Sequence, residues 1–237
     1  MALFVIADLH LSLSTNKPMD VFKGWENYVQ KLEKNWKLIV KDTDTVVIAG
    51  DISWAMRLTE TYDDFNFIHK LPGKKIILKG NHDYWWTSKT KMDNYLKENK
   101  LDTISFLFNN AYAVGDYAVC GTRGWYYDAE NDADMKVLNR EVGRLKASIE
   151  EGLKLNLEPV VFLHYPPIYA DTPCKEIVDV LEEYKIKKCY YGHIHGGNAA
   201  KRAYNGLYKD MSLQLVACDY LKFSPILVRW IDTIIIK

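Results

Sequence analysis

Short apolar runs, each followed within two residues by an aspartate, a histidine or a glycine, constrain the fold of this chain more than any other feature. The runs are Leu3-Phe4-Val5-Ile6, Val46-Val47-Ile48, Ile76-Ile77-Leu78, Val160-Val161-Phe162-Leu163 and, more loosely, Cys189-Tyr190-Tyr191. Continuous runs of branched and aromatic residues are typical of strands that are buried on both faces. The pattern therefore predicts buried strands whose carboxyl ends carry polar residues.

The polar residues that follow these runs form four short motifs and one single histidine. They are Asp8-Leu9-His10, Gly50-Asp51, Gly80-Asn81-His82-Asp83, His164 and Gly192-His193-Ile194-His195. Five of the six histidines lie in this set, and His69 is left over as a residue at the end of a helix. Taken singly, each motif is better explained by turn-forming or hydrogen-bonded polar residues. Together, each after a strand, they predict a metal centre at the edge of a sheet.

The spacing within the motifs supports this prediction. Asp8 and His10 are two residues apart, so an extended backbone directs both side chains to the same side. His193 and His195 have the same spacing, and Gly80 permits an unusual backbone path beside Asn81. Carboxylate and amide oxygens mixed with imidazole nitrogens are ligands that suit divalent manganese, iron or zinc. They fit neither a thiolate site nor an all-oxygen calcium site.

Apolar residues at steps of three and four predict helices between the strands. The stripes are Trp25, Tyr28, Val29, Leu32, Trp36 and Ile39; Tyr62, Phe65, Ile68 and Leu71; Met135, Leu138, Val142, Leu145, Ile149 and Leu153; and Ile177, Val178, Leu181 and Tyr184. A further helix is expected near 87–99. Pro72-Gly73 is expected to end the second of these helices.

Shorter apolar runs at 104–108, 111–114 and 117–121 predict an antiparallel region with a tight turn at Gly115-Asp116. The tail over 211–236, which ends in Ile234-Ile235-Ile236, is also expected to be β-structure. We expect an α/β fold of mixed α+β character, with two mixed sheets flanked by helices in a four-layer αββα sandwich. No linker or repeat divides the sequence, so residues 1–237 are expected to form one domain.

Composition limits the function classes. The formal net charge of +0 argues against a surface dominated by attraction to a phosphate backbone, so nucleic acid is not required as a partner. The first apolar run ends at Asp8 and no basic segment precedes it, which predicts neither a secretory signal nor a membrane span. A cytoplasmic protein is expected. The four cysteines have no C-x-x-C spacing and are expected to be buried free thiols. The oligomeric state is not set by the sequence.

The order of the motifs from 8 to 195 resembles the calcineurin-like metallophosphoesterase superfamily, whose members carry Asp-x-His, Gly-Asp, Gly-Asn-His-Asp/Glu, a separate His and Gly-His-x-His. Two features depart from the commonest form. The stretch from Asp8 to Asp51 is long, and Ile52-Ser53-Trp54 follows Asp51 without the acidic residue that many members have there. The resemblance thus leaves the substrate class open.

The resemblance implies two divalent metal ions and assigns their ligands. Asp8, His10, Asp51 and His195 would hold one ion, and Asp51, Asn81, His164 and His193 would hold the other, with Asp51 as the bridge. Two such ions can activate a shared water as hydroxide and offset the charge that builds on phosphorus during in-line displacement. The expected reaction is therefore hydrolysis of a phosphoester, with diesters slightly favoured over monoesters and a nucleotide among the candidate substrates.

His82 is not among the implied ligands, which makes it the candidate general acid for the leaving oxygen. Asp83, beside it, is expected to hold the imidazole and raise its pKa. Among the arginines, Arg57 and Arg123 are candidates for binding phosphate oxygens, whereas Arg202 is better explained as a surface charge.

Several aromatic residues are expected near the mouth of the site, where they could stack on a base or form part of the core or rim. They are Trp54, Trp85, Trp86, Trp125, Tyr126 and Tyr127. Two other functions stay open. The chain could be a binding or scaffold module that keeps the metals without catalysis, or it could be a nuclease.

Overall fold

The computed structural model describes residues 1–125 and 132–229, in which two β-sheets lie between two layers of helices. The strands are β1 (Leu3–Ile6), β2 (Thr45–Ala49), β3 (Lys74–Leu78), β4 (Ile104–Phe106), β5 (Tyr112–Val114), β6 (Tyr117–Thr122), β7 (Glu158–Leu163), β8 (Ile168–Tyr169), β9 (Thr172–Pro173), β10 (Lys188–Tyr191), β11 (Gly206–Tyr208), β12 (Met211–Leu215) and β13 (Ile226–Leu227). The helices are α1 (Tyr28–Ile39), α2 (Tyr62–Lys70), α3 (Lys89–Glu98), α4 (Asp132–Leu153), α5 (Lys175–Glu183) and the short α6 (Gly197–Ala200).

The first sheet has the strand order β13-β1-β2-β3-β4. Its four strands β1 to β4 run parallel, and β13 is antiparallel at the edge beside β1. Parallel neighbours need crossover connections, which α1, α2 and α3 supply. The carboxyl ends of β1, β2 and β3 therefore lie side by side, each directly before one of the predicted motifs.

The second sheet has the order β11-β12-β10-β7-β6-β5. Its central strands β12, β10, β7 and β6 are parallel, and β11 and β5 add antiparallel edges. The carboxyl ends of β7 and β10 lead to His164 and to the Gly192 motif. Mixed sheets of this kind were predicted, as was the antiparallel hairpin at Gly115-Asp116.

Three apolar clusters fill the spaces between the four layers. One packs α1, α2 and α3 on the first sheet around Trp36 and Phe65, and another packs α4 and α5 on the second sheet around Leu145 and Leu181. The third lies between the sheets and includes Phe162. This arrangement confirms the expected αββα sandwich, because both faces of each sheet are covered by apolar side chains.

Backbone pairing joins the two sheets next to the motifs. The amide of Ala7 donates to the Val216 carbonyl at 2.8 Å, and the amide of Cys218 donates to the Ala7 carbonyl at 2.9 Å. This short parallel bridge follows β1 and β12 directly, so the chain leaves both sheets at one place. The edge of the first sheet and the edge of the second therefore meet where the motifs begin.

Some predicted elements differ from those observed. β4 pairs parallel with β3 and does not belong to the antiparallel region, because α3 returns the chain to the first sheet. Trp25 lies before α1 in a turn, although it is buried as its stripe predicted. Of the tail, β12 and β13 are strands, and Ile234-Ile235-Ile236 lies outside the described residues. All four cysteines are buried thiols, as predicted.

Candidate metal centre

The predicted ligand residues converge where the two sheets meet. Asp8 and His10 follow β1, Asp51 follows β2, and Asn81 follows β3, whereas His164 follows β7 and His193 and His195 follow β10. Two groups of ligand atoms result. In one, atoms of Asp8, His10 and His195 lie within 4.8 Å of one another, and in the other the same holds for Asp51, His164 and His193.

Asp51 lies between the two groups. Its Oδ2 atom is 3.6 Å from His10 Nε2 and 3.6 Å from His164 Nε2, so one carboxylate oxygen faces both sides. The Oδ1 atom of Asn81 completes the second group, at 2.6 Å from His164 Nε2 and 2.9 Å from His193 Nδ1. Each group thus combines imidazole nitrogens with carboxylate or amide oxygens.

The backbone at this centre departs from ordinary strand geometry. Asp8, His10, Asp51 and His193 all have positive φ, between 47° and 71°. Such left-handed conformations are costly for residues with a Cβ atom and are maintained only where the surrounding structure enforces them. Here the parallel strands fix the entry to each loop, and the turned backbone directs each side chain across the sheet edge.

Steric crowding explains why three of the motifs begin with glycine. A Cβ atom on Gly80 would overlap Asp51 Oδ1 and the Asp51 backbone nitrogen, and one on Gly50 would lie 2.6 Å from His164 Nδ1. A Cβ atom on Gly192 would lie 2.5 Å from Asp8 Oδ2. Each glycine therefore leaves room for a candidate ligand.

Fixed acceptors orient two of the imidazoles. His164 Nδ1 donates to the Ala49 carbonyl at 3.2 Å, which leaves Nε2 unprotonated and directed at Asn81 and Asp51. His195 Nδ1 donates to Asp219 Oδ1 at 3.0 Å, and the second oxygen of Asp219 accepts from the Gly196 amide at 2.9 Å. Partners of this type set the tautomer and direction of metal-binding histidines.

Asp219 is the functional candidate that the sequence reasoning missed. It lies in the turn that follows the apolar run of β12, as the other acidic residues follow their strands. The signal was present in the order of an apolar strand and then an aspartate, but no histidine accompanies Asp219 to mark it. Only the pairing of β12 with β10 brings it beside His195.

Asp83 does not have the role expected for it. It is fully buried, and its two oxygens accept from the backbone amides of Asp51, Ile52 and Gly80 at 2.7–2.9 Å. It also accepts from the Trp85 indole at 3.1 Å. With these donors in place Asp83 fastens the loops after β2 and β3 together, and it does not hold the imidazole beside it.

His82 lies at the open side of the centre. Its ring centroid is 5.7 Å from that of His10 and 4.5 Å from that of Trp54, and its Nδ1 atom is 3.4 Å from the Tyr84 hydroxyl. Burial and the nearby Lys17 ammonium lower its pKa, where the sequence predicted a raised value. The backbone amide of His82 also donates to Asp51 Oδ1 at 2.8 Å, so this residue supports the central carboxylate.

The electrostatics of the centre fit a divalent cation. Burial lowers the pKa of His164 to about 3 and, with His164 nearby, that of His193 to about 3, so both imidazoles are neutral and offer lone pairs. Burial raises the pKa of Asp51, and the carboxylates of Asp83 and Asp8 raise it further. Burial would lower the pKa of His195, but Asp8 and Asp219 outweigh it and raise the value to about 10. Buried carboxylates that raise one another's pKa, beside neutral imidazoles, are the environment that a bound metal ion would relieve.

Comparison with known sequences decides the family. The sequence model of the family described as calcineurin-like phosphoesterase matches residues 1–197, which include every predicted ligand. The chain belongs to this family. A search of curated proteins found no significant match.

Solved structures share the fold of this calcineurin-like phosphoesterase at low identity. They include AQ665 from Aquifex aeolicus, described as a protein of unknown function, with a TM-score of 0.51, 16% identity and 95% of each chain covered. Phosphopantetheinyl hydrolase (PptH) from Mycobacterium tuberculosis has a TM-score of 0.54 and 14% identity, with 98% of this chain and 96% of its own covered. TT1561 of Thermus thermophilus has a TM-score of 0.56 and 12% identity over 81% of each chain. At these identities the likeness extends to the fold alone.

The two arginines proposed to bind substrate lie in different surroundings. Arg123 is half-buried, with its guanidinium 3.6 Å from Glu141 and 5.0 Å from the ring centroid of Trp125. Its carbonyl accepts from the amide of His164, so it lies directly behind that candidate ligand of the phosphoesterase centre. Arg57 is exposed at the start of a 3₁₀ turn (Leu58–Thr61) and does not line the cavity beside the centre.

Of the aromatic residues predicted near the mouth of the site, some face a cavity and others are buried in the core. Trp54 stacks on His10 with centroids 4.9 Å apart and faces a cavity. Trp85 is buried against Phe65, so the hypothesis that it stacks on a base is wrong. Trp86 packs on aromatic residues of the core, and Trp125 faces a separate cleft beside Arg123. Tyr126 and Tyr127 lie outside the described residues. Within the described ranges, none of the helices is both long and apolar enough to cross a membrane.

Proposed function

We propose that this member of the calcineurin-like phosphoesterase family is a phosphoester hydrolase with two divalent metal ions. Asp8, His10, Asp51 and His195 would hold one ion, and Asp51, Asn81, His164 and His193 the other. The observation that carries the proposal is the position of Asp51 Oδ2, which is equidistant at 3.6 Å from an imidazole nitrogen of each group. A carboxylate oxygen placed between two ligand groups is suited to bridge two cations.

Two bound divalent ions would supply an activated water and would offset the negative charge that develops on a phosphoryl group. The protein residues hold this arrangement rigid. Ala49 and Asp219 fix the two imidazoles of His164 and His195, and Asp83 fastens the loops that carry Asp51 and Asn81. Preorganised groups of this kind avoid reorganisation during the reaction.

We assign His82 as the general acid that protonates the leaving oxygen. Its ring lies at the open side of the centre, 5.7 Å from the His10 ring, which is within reach of a group bound between the metals and the cavity. An anionic phosphoryl group beside the ring would raise the lowered pKa of His82, because an opposite charge favours the protonated form. Substrate binding and protonation of His82 are therefore coupled.

The expected effect of His82→Ala is loss of most activity, by about 10² to 10⁴-fold, with both metals retained. Metal content and metal-dependent hydrolysis are measured on the same preparation. The control is His69→Ala, which removes an imidazole at the end of α2 and leaves the rate unchanged. An unchanged rate in His82→Ala, or loss of metal from it, would refute the assignment.

We propose diesters as the faster substrates, because a cavity of about 650 Å³ beside His82 leaves room for a second alcohol group on phosphorus besides the one that departs. The first experiment compares bis-p-nitrophenyl phosphate with p-nitrophenyl phosphate, using metal-stripped protein and protein reconstituted with Mn²⁺. Turnover only with metal, and faster for the diester, is expected. No turnover of either compound by protein that holds two metals per chain would favour the scaffold module, and cleavage of DNA or RNA in preference to both would favour the nuclease.

A further inference from the structure

A large cavity opens beside the candidate centre on the side where His82 lies. Its volume is about 650 Å³, which is within the usual range for small-molecule sites. His10, His82 and His195 form its inner end, next to the proposed metal ions. Its outer wall comes from residues 17–25, which lie in the long stretch between β1 and α1. Part of the long stretch between Asp8 and Asp51 thus forms one wall of the cavity.

This outer wall is apolar, and some of its large side chains are exposed to solvent. Val21 is 72% exposed and Phe22 is 55% exposed, whereas Met19 and Trp25 of the same segment are buried. Exposed apolar side chains that group beside a functional centre indicate a binding surface. The Trp25 ring also contacts His195, with centroids 5.8 Å apart, so the apolar wall is continuous with the centre.

Positive charge accompanies the apolar wall. Lys17 and Lys23 both line the cavity, and the Lys17 ammonium lies 3.5 Å from the ring centroid of Trp54. The two ammonium groups are complementary in charge to an anionic group bound at the centre. The apolar side chains are complementary to an apolar group bonded to that anion. The cavity therefore fits a molecule with one anionic end and one apolar body.

The lining offers little to recognise a nucleobase. Among the described residues that form the cavity there is no serine, threonine, asparagine, glutamine or tyrosine. Asp219 also lines it, but its oxygens already accept from His195 and Gly196. Specific recognition of a polar ligand needs a few directed hydrogen-bonding groups, and apart from the metal centre the side chains of the lining offer only the ammonium groups of two lysines and the indole N–H groups of two tryptophans.

We propose that this cavity binds the leaving alcohol of the substrate and that this alcohol is a bulky hydrocarbon group. The inference rests on the proposed function, because His82 both lines the cavity and would protonate the leaving oxygen. The group that departs is then the one in contact with the apolar wall. The substrate class is a phosphoester of a hydrophobic alcohol.

Two matched esters test the substrate class. Methyl phenyl phosphate and methyl 4-biphenylyl phosphate have leaving phenols of similar acidity and differ in apolar size. With the Mn²⁺-loaded protein, kcat/KM is expected to be at least tenfold higher for the biphenylyl ester. The double variant Val21→Ser/Phe22→Ser is expected to reduce this ratio to below threefold, and Leu38→Ser, an equally exposed site on α1, is expected to leave it unchanged.

A binding measurement separates this inference from the proposed activity. Phenylphosphonate and 4-biphenylylphosphonate cannot be hydrolysed, and their affinity for the Mn²⁺-loaded protein is measured by calorimetry. Tighter binding of the biphenylyl compound, lost in Val21→Ser/Phe22→Ser, supports the cavity even where neither ester is hydrolysed, and in that case the activity is refuted. Equal affinities overturn the cavity assignment whether or not the esters are hydrolysed. Equal kcat/KM for two esters that are both hydrolysed also overturns it and leaves the activity standing.

Discussion

At the scale of single residues, Asp219 is a carboxylate outside the proposed ligand set that we expect to control metal binding. It is linked to His195 Nδ1, so it directs the opposite nitrogen toward Asp8, 3.3 Å away. Asp219→Asn keeps the shape but removes the charge, and we expect affinity for the ion held by His195 to fall about 10- to 100-fold. Calorimetric titration with Mn²⁺ measures this. Asp210→Asn, at a residue whose side chain is 93% exposed, is the control, and equal affinities in the two variants would contradict the role of Asp219.

The burial of Asp64 leads to a second prediction, which concerns how the free energy of unfolding depends on pH. It is fully buried, it accepts from the Leu13 amide at 2.8 Å and from the Ser53 hydroxyl, and burial raises its pKa to about 6. The folded state therefore keeps a proton that the unfolded chain loses near pH 4. As the pH rises from about 4 to about 6, this residue progressively lowers the free energy of unfolding, by up to about 3 kcal/mol in total, and the loss persists at higher pH.

Asp64→Asn cannot ionise, so its stability relative to the original chain is expected to rise over the same pH interval. Urea unfolding at pH 4, 5, 6 and 7 measures the difference between the two proteins. A difference that is independent of pH would show that Asp64 does not hold its proton in the folded state.

At the scale of elements, helix α4 contains two glycines with opposite surroundings. A Cβ atom on Gly143 meets nothing within 4 Å, whereas one on Gly152 would overlap Cys120 Sγ in β6. Gly143→Ala is expected to stabilise the protein by about 0.5–1 kcal/mol, because alanine costs less backbone entropy in a helix. Gly152→Ala is expected to destabilise it by about 1–3 kcal/mol through overpacking. Urea unfolding of both variants checks this, and a change of the same sign in both would contradict the packing of α4 on β6.

The elements also show what the sequence could predict. Apolar runs such as Val160-Val161-Phe162-Leu163 and the long stripe of α4 were sufficient for strands and helices, because burial imposes the period of each element. The sheet partner of β4 and the approach of Asp219 to His195 were not predictable, since they depend on pairing between distant strands. The role of Asp83 was missed for the same reason. Its partners are backbone amides of the Asp51 loop, which leave no pattern in the side chains.

At the scale of the whole molecule, the candidate ligands come from both sheets. Asp8, Asp51 and Asn81 follow strands of the first sheet, and the three histidines after β7 and β10 follow strands of the second. Ions bound to both sheets would link them at the edge where Ala7 and Cys218 already pair. A ligand that binds only the folded state adds about 2.7 kcal/mol when its free concentration is a hundred times its Kd. Metal binding is therefore expected to raise the Tm of the intact chain.

Asp51→Asn distinguishes this metal link from the intrinsic stability of the fold. The Asp51 carboxylate is buried beside Asp83 and Asp8, which raises its pKa, so a metal-free chain gains from losing the charge. The amide oxygen can still accept from the His82 amide, as Asp51 Oδ1 does at 2.8 Å. In EDTA we expect the Tm of Asp51→Asn to equal or exceed that of the original chain, while saturating Mn²⁺ raises the Tm of the original chain and barely that of the variant. Asp116→Asn, at the exposed turn between β5 and β6, should behave as the original chain does. An equal Mn²⁺ shift in Asp51→Asn would place the bridge elsewhere, because a carboxylate shared by both ions cannot be neutralised without weakening both sites.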